Sequence, residues 1–286
     1  MANQPISVSK TALAKRLGVS RSSLYYHHKR PALDLETKLQ IEAVMTDNPS
    51  YGHKRVALEL KLNKKRILRV MKKFNLKPYR RRPVKPLKKD DLGKSPAQYE
   101  NLIENFCPIT PHCVWASDFT YLRFAEKFIY LATTMDLYDR EIVGWNISRF
   151  HNQELVLGSL NDAFKRQQTK PDYHHSDQGS EYDSQQYLAT CEKLGIKVSM
   201  SRKGHPWENG FQESFYSQFK LDLGRTDRFE SLGELVEAIH QTINYYNNKR
   251  IHTSLKMSPL NFKKQHYQKQ NINRKPSDTS FQKEGT

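Results

Sequence analysis

The stretch HCVWASDFTYLRF, residues 112–124, is a run of aliphatic, aromatic and hydroxyl side chains with one carboxylate, Asp118, in its middle. Such a run reads as a β-strand. Two more of the same kind follow after short turns, KFIYLATTMDLYD at 127–139 and REIVGWNISRF at 140–150, so a three-stranded antiparallel meander is expected. Residues 152–168 then read as helix, PDYHHSD (171–177) as strand, EYDSQQYLATCEKLG (181–195) as helix and IKVSMS (196–201) as strand. KGHPWENGFQESFYSQFK (203–220) opens as a Gly/Pro turn and continues as an aromatic-rich helix. The order βββαβαβα implies an α/β unit, a mixed five-stranded sheet flanked by helices.

Three carboxylates stand at telling places in that order. Asp118 is inside the first strand, Asp177 ends the fourth, and Glu213 lies in the helix after the fifth. Singly each has an ordinary reading: Asp118 on an edge strand, Asp177 shaping an Asp-Gln-Gly turn or capping the next helix. Together they converge on one edge of the sheet, where an unpaired buried carboxylate is costly and a divalent cation removes the cost. Hard oxygen ligands suit Mg, and two such ions can activate a water or a 3′-hydroxyl and stabilise the leaving oxygen of a phosphodiester. Glu208 competes with Glu213 for the third place. Pro206 suits a first helical turn, which puts Glu208 near the helix N-terminus, where the macrodipole accounts for it. Glu213, five residues on, lies about 140° around the helix, so the two cannot face one ion. Asn209 and Lys220 share the face of Glu213.

Outside this unit the chain is helical and basic. TALAKRLGVSRSSLYY (11–26) reads as two short helices broken at Gly18, with Ala14 and Leu24 in the crook and Ser20 as N-cap, a helix-turn-helix pattern. Three further helices are expected in LETKLQIEAVM, YGHKRVALELK and NKKRILRVMKKFNL; in the last, Asn63 caps and Ile67, Val70, Met71 and Phe74 form the apolar face. Between Lys61 and Lys94 there are fifteen Lys or Arg against two Asp, which is +13 of the chain's +17. A stripe this dense condenses phosphates. YRRRPVKPLKKDDLGKSP (79–96) reads as an extended basic linker, and SLGELVEAIHQTINYYNNKR (231–250) as a helix opened by a capping box from Ser231 to Glu234. The polar tail from about Lys263 is expected to be disordered. The expected domains are therefore 1–30 and 34–78 (DNA-binding helices), 79–105 (linker), 106–224 (catalytic core), 225–262 (helical extension) and 263–286 (tail).

The 286 residues, 37% of them apolar, suffice for two or three modest cores, and the charge favours a polyanion as partner. No run of about 18 apolar residues or signal-peptide core appears, which places the protein in the cytoplasm with the nucleoid. Cys107, Cys113 and Cys191 have no disulfide or zinc-knuckle spacing and read as reduced, mostly buried thiols; His112, His174 and His175 likewise lack ligand spacing.

The joint pattern resembles the DDE transposases of bacterial insertion sequences, the OrfB-like branch whose catalytic core is similar to retroviral integrases. The matching residues are Trp115 with Asp118-Phe-Thr-Tyr, His175-Ser-Asp177-Gln-Gly-Ser, Ser199-Met-Ser-Arg-Lys-Gly204, Glu208-Asn-Gly-Phe-Gln-Glu213-Ser-Phe-Tyr, Tyr246-Asn-Asn-Lys-Arg250-Ile-His252 and Ser258-Pro259. Thirty-five residues separate Asp177 from Glu213, the family's known interval. Trp207-Glu208-Asn209 departs from the family, in which a tyrosine and an aspartate often precede the asparagine.

The resemblance implies a ribonuclease H-like fold, metal-dependent strand cleavage and transfer at element ends, and Asp118, Asp177 and Glu213 as catalytic ligands of two Mg or Mn ions. It also implies action as a dimer or higher oligomer on DNA and, in many such proteins, an upstream-frame partner product. Candidate DNA contacts are Arg21, Ser22, Lys64, Lys65, Arg66, Arg69, Lys72, Lys73, Arg80, Arg81, Arg82, Lys203, Asn209, Lys220 and Arg250. The rival readings are a DNA-binding regulator with a silent core and a structure-selective nuclease of the same fold.

Overall fold

The chain divides into two units, Met1–Tyr79 and Arg80–Thr286. The computed structural model describes residues 9–25, 30–80, 99–104, 106–202 and 205–273. Arg81, Arg82, Lys203, most of the expected linker and residues 274–286 lie outside the described residues.

In the first unit, helix α1 (Lys10–Arg16) closes at Gly18, whose φ of +66° is left-handed, with the Val19 amide donating to the Ala14 carbonyl at 3.1 Å. Ala14 is buried and Leu24 half-buried. The second α-helix expected after Ser20 is instead a 3₁₀ turn, Arg21–Tyr25. Ser20 Oγ accepts from the Ser23 amide, as a cap does, but it also bonds the hydroxyls of Ser22 and Ser23 at 2.8 and 2.7 Å. Serines that bond one another and the local backbone in this way compete with a helical ladder.

Three helices follow: α2 (Arg30–Asp47), α3 (His53–Glu59) and α4 (Lys64–Lys73). Asn63 Oδ1 accepts from the Lys65 amide at 2.8 Å, and Ile67, Val70 and Met71 are buried where α4 meets α2 and α3. The opposite face of α4 is not uniformly open. Asp34 of α2, only 2% exposed, accepts both ends of the Arg69 guanidinium (2.6 and 2.8 Å) and Lys73 Nζ (2.9 Å), while Arg66 donates to Thr37 Oγ1 at 2.6 Å. These donors hold the Asp34 carboxyl well below the usual carboxylate range.

The second unit is built on the sheet β1 (Val114–Phe124), β2 (Lys127–Asp136), β3 (Ile142–Ser148), β4 (Tyr173–Ser176) and β5 (Lys197–Met200), in the spatial order β3-β2-β1-β4-β5. The first three strands form the expected antiparallel meander, with one irregularity at Thr134/Met135, and β4 and β5 run parallel to β1. Parallel neighbours need crossovers. Helices α5 (Gln153–Gln167) and α6 (Gln185–Lys193) provide them and bury Trp115, Val143, Leu160, Tyr187 and Cys191 on one face. Helices α7 (Gly210–Leu223) and α8 (Leu232–Asn248) cover the other face through Val114, Ala116, Leu131, Phe215, Phe219 and Ile239. The alternation of Val114 and Ala116 against Trp115 is the period of two that a sheet covered on both faces requires. This is the ribonuclease H-like architecture.

Local chemistry explains the fit. A Cβ on Gly144 of β3 would lie 2.3 Å from the Ser159 carbonyl and 2.4 Å from the Ala163 nitrogen, so glycine permits α5 to seat on the sheet. Ser231 Oγ accepts from the Glu234 amide as a capping box demands, while the Glu234 carboxylate returns to the amide of Glu230.

Two expectations are corrected. The chain from Lys263 is not wholly a disordered tail: α9 runs Pro259–Asn273, with Lys263 buried and donating to Glu141 at 2.7 Å and His266 bonded to the Tyr138 hydroxyl at 2.6 Å. Glu141 and Tyr138 lie more than a hundred residues from these two side chains, out of reach of a local pattern. Of the thiols, Cys191 is buried, Cys113 partly so and Cys107 exposed. Among the described residues no helix is long and apolar enough to cross a membrane.

Candidate active site

Strand pairing brings the two aspartates together. Ala116 of β1 pairs with His175 of β4, and two residues further along each parallel strand stand Asp118 and Asp177. Neighbouring strands lie about 4.8 Å apart. Asp118 Oδ1 accepts from the Phe119 amide at 2.8 Å and Asp177 Oδ1 from the Gly179 amide at 3.1 Å. Asp177 thus shapes its turn, but it does not cap α6, whose N-cap position is Ser184.

Glu213 sits exposed in the first turn of α7. Gln212 and Tyr216, one residue before it and three after, tie that turn to the sheet. Gln212, fully buried, donates Nε2 to the Ala116 carbonyl at 2.6 Å and accepts from Thr133 Oγ1 at 3.1 Å; the Tyr216 hydroxyl donates to the Asp118 carbonyl at 2.5 Å and bonds Thr133 Oγ1 at 2.8 Å. The helix that carries the glutamate is therefore bonded to the strand that carries the first aspartate.

Burial, then the charge of Asp177, and further Glu213, push the Asp118 carboxyl up to about 7, against the Phe119 amide and Lys220, which pull it down. Burial also raises the Asp177 carboxyl, with Glu181 adding to it. Carboxylate oxygens are hard donors, the chemistry that suits a divalent cation. Among the described residues, no group of three or more His, Cys, Asp or Glu side chains stands close enough to hold a metal ion, so Asp118, Asp177 and exposed Glu213 do not form a ready ligand set here.

Glu208 is engaged elsewhere. It belongs to a 3₁₀ turn, Pro206–Asn209, so the continuous α-helix assumed in counting the angle to Glu213 is broken at Gly210. Its carboxylate accepts from the Arg202 amide at 2.7 Å and from Arg202 Nε at 2.8 Å. Burial would raise this carboxyl, but the Arg202 donors hold it below its ordinary value.

The other candidate contacts divide. Arg21, Ser22, Lys64, Lys65, Lys72 and Arg80 are exposed, and Lys220 is half-buried with Nζ 4.9 Å over the Tyr121 ring. Arg66, Arg69 and Lys73 are bonded to α2. Asn209 is buried, with Nδ2 turned to the Ser117 carbonyl at 3.5 Å. Arg250 is corrected outright: 2% exposed, it donates to Asp222 at 2.5 Å and Gln218 at 2.6 Å, and so ties the end of α8 to α7 rather than facing a phosphate.

Several residues at the site escaped the sequence reading. Gln212 falls in the row Gln212, Phe215, Tyr216, Phe219, and a glutamine in an otherwise aromatic helical row was the available signal. Glu181 is buried beside Asp177 and bonds His151 Nδ1 at 2.8 Å. Tyr182 is fully buried, its hydroxyl without a hydrogen-bond partner among the described residues, and the charges of Asp118 and Asp177 add to burial in raising it. Behind β4, His174 bonds Ser117 Oγ at 2.9 Å and the Tyr187 hydroxyl; burial lowers its pKa to about 3, so it stays neutral.

Residues 110–206 match the family described as integrase core domain, and residues 194–259 match a second family of the same description. The transposase of insertion sequence element IS904 from Lactococcus lactis is 39% identical over 168 residues, which cover 57% of this chain and 66% of that one. The InsK protein of IS150 from Escherichia coli is 30% identical over 89% of this chain and 93% of its own. A 31 kDa protein of IS600 from Shigella sonnei is 32% identical over 88% and 97%. Among solved structures, the HTLV-2 integrase catalytic core in complex with magnesium covers 54% of this chain and 97% of its own at 16% identity and a TM-score of 0.45.

Proposed function

We propose that this chain, which belongs to the transposases of bacterial insertion sequences and carries their integrase core domain, cuts DNA at the ends of its element and joins the strands through Asp118, Asp177 and Glu213. The observation that carries the assignment is the parallel pairing of Ala116 with His175, two residues before Asp118 on β1 and Asp177 at the end of β4. A carboxylate inside a strand, as Asp118 is, costs free energy that a neutral side chain would not, which favours a functional use for it.

Mg or Mn, as two ions, would be held by the carboxylate oxygens of these three residues. When bound, the metal polarises a phosphodiester and activates a water or 3′-hydroxyl. The chain's own residues do the positioning. The Phe119 and Gly179 amides each hold one carboxylate oxygen of Asp118 and Asp177, which orients the other. Gln212 and Tyr216 hold Glu213's turn against β1. Lys220, near enough to lower the Asp118 carboxyl, is placed to meet a phosphate of the donor strand. The exposed cations of α4 and the basic segment after it hold duplex DNA by phosphate contacts. Two element ends must be handled together, so the working form is a dimer or higher oligomer on DNA, and an upstream-frame product is a candidate partner.

Single-turnover cleavage and joining on the element's own ends at saturating Mg tests this. Asp177→Asn and Glu213→Gln are expected to abolish both steps while duplex binding persists. Glu208→Gln is expected to lose only a fraction of activity, and Lys220→Ala to weaken engagement of donor DNA. Cleavage by Asp177→Asn at the parent rate, or the opposite ranking of the two glutamates, overturns the assignment.

A further inference from the structure

His151, in the turn that leads into α5, is the outer half of an ion pair beside the acids of the site. Its Nδ1 donates to Glu181 Oε1 at 2.8 Å. The imidazole is 55% exposed and the carboxylate 9%. Two rings hold the imidazole from the sheet: Phe119 stacks on it, with centroids 6.1 Å and planes 12° apart, and Tyr130 lies tilted at 4.9 Å. Exposed side chains ordinarily turn freely between rotamers. This one is fixed at one nitrogen and against two rings while about half of it stays open to solvent.

The link to the acids runs through the loop after β4. A Cβ on Gly179 would meet Asp177 Oδ1 at 3.0 Å and Glu181 Oε2 at 3.1 Å, so the two carboxylates flank one backbone position. Glu181 also accepts from Ser180 Oγ at 3.2 Å, and its charge raises the Asp177 carboxyl. Burial would raise Glu181 too, but the His151 donor helps hold it below its ordinary value.

An ionised Glu181 adds negative charge where a phosphodiester has to approach. A glutamine could bond the same imidazole nitrogen without that repulsion and without the desolvation cost of a charge. What the carboxylate adds is a hold on a charged ring. An imidazole that donates from both nitrogens is positive, and a carboxylate on one side with a phosphate on the other favours that form. The layering here is carboxylate inside, imidazole over it and solvent beyond, which suits an anion arriving from outside.

We infer that His151, oriented by Glu181, donates from Nε2 to a phosphate next to the scissile one on the cut strand, the scissile phosphate being left to Asp118, Asp177 and Glu213. This rests on the reading of those three acids as catalytic and adds a substrate-contacting residue to it.

The probe is a duplex ending in the element's terminal sequence, with a neutral methylphosphonate in place of either phosphate flanking the cut, used with the full chain. His151→Ala is expected to slow single-turnover cleavage of the unmodified end at subsaturating DNA by about tenfold, and one of the two methylphosphonates to cost the parent about as much. The two losses should not multiply: His151→Ala is expected to be indifferent to that methylphosphonate. A merely structural tie between the two loops would lower the thermal midpoint yet leave variant and parent equally sensitive at both phosphates. An unchanged rate in His151→Ala, or losses that multiply at both positions, therefore overturns the contact. The same cycle is read as dissociation constants in Asp118→Asn, which does not cut. Coupling in binding while the parent fails to cut overturns the acids and leaves the contact; cutting by the parent with no coupling in either readout overturns the contact and leaves the acids. Glu181→Gln, which keeps an acceptor without the charge, is expected to lose part of the coupling, and full coupling in that variant overturns the orienting role of Glu181.

Discussion

Asp118 shows what the proposed catalytic carboxylate asks of a fold. Its pKa is raised from the ordinary 3.8 to about 7, with burial the largest cause. A group raised in the folded state contributes stability below its unfolded pKa and loses it as pH rises through the folded one. Above pH 7 the ionised acid therefore weakens the metal-free protein. Asp118→Asn is expected to raise the Tm of the metal-free chain at pH 8 by a few degrees, at about 2–4 °C per kcal/mol for a unit of this size, and to leave it nearly unchanged at pH 4. Calorimetry at the two pH values in chelator checks this; equal shifts at both would remove the electrostatic account. Glu208, in contrast, was separable from Glu213 on paper by its place near a helix start. That its partner is Arg202 was not readable, because the contact depends on how β5 exits toward the turn.

Among the elements, the β1–β2 hairpin turns through Ala125 and Glu126, both at positive φ, 45° and 62°. Neither residue is suited to the left-handed region, which Asn-Gly occupies readily. Replacing the pair by Asn-Gly is expected to stabilise the chain by about 1 kcal/mol, seen as a higher urea midpoint at unchanged m. Helix α9 depends on long-range polar ties. Lys263→Ala leaves the buried Glu141 without its cation, for an expected loss of about 3 kcal/mol; Lys263→Met with Glu141→Leu should recover most of it, and a silent single variant would show that the helix is held by something else. The capping box at Ser231, the Asn63 cap, Gly18 and the strand runs were legible because each is written within a few residues of itself. The 3₁₀ turn at Arg21–Tyr25 was not, since three neighbouring serines carry both cap and breaker chemistry.

At the scale of the whole molecule the excess charge is concentrated in one region, and its use is divided. Residues 1–94 are expected to bind duplex DNA with affinity that falls steeply with salt, as counterion release requires. Because Arg66, Arg69 and Lys73 are bonded to α2, the salt slope should be reduced by Lys64→Ala, Lys65→Ala and Lys72→Ala. Arg69→Ala should instead lower the thermal midpoint of the fragment. Filter binding from 50 to 300 mM salt, paired with circular dichroism melts, separates the two; a fragment without low-salt affinity would remove the electrostatic argument.

The sequence by itself determined the strands and helices of the core, their order and the mixed sheet, and it nominated the three acids, since periods of 2 and 3.6, caps and turn residues are properties of short windows. Only the tertiary structure decided which polar side chains are available. Arg250 became an internal strut on Asp222, Asn209 turned into the core, Gln212 and Tyr216 became the pins of Glu213's helix, and half the cations tested on α4 went to Asp34 and Thr37. A charge read along the chain carries no mark of whether a distant partner will claim it. That is settled when elements far apart in sequence pack, and an uncompensated buried charge is too costly to leave alone.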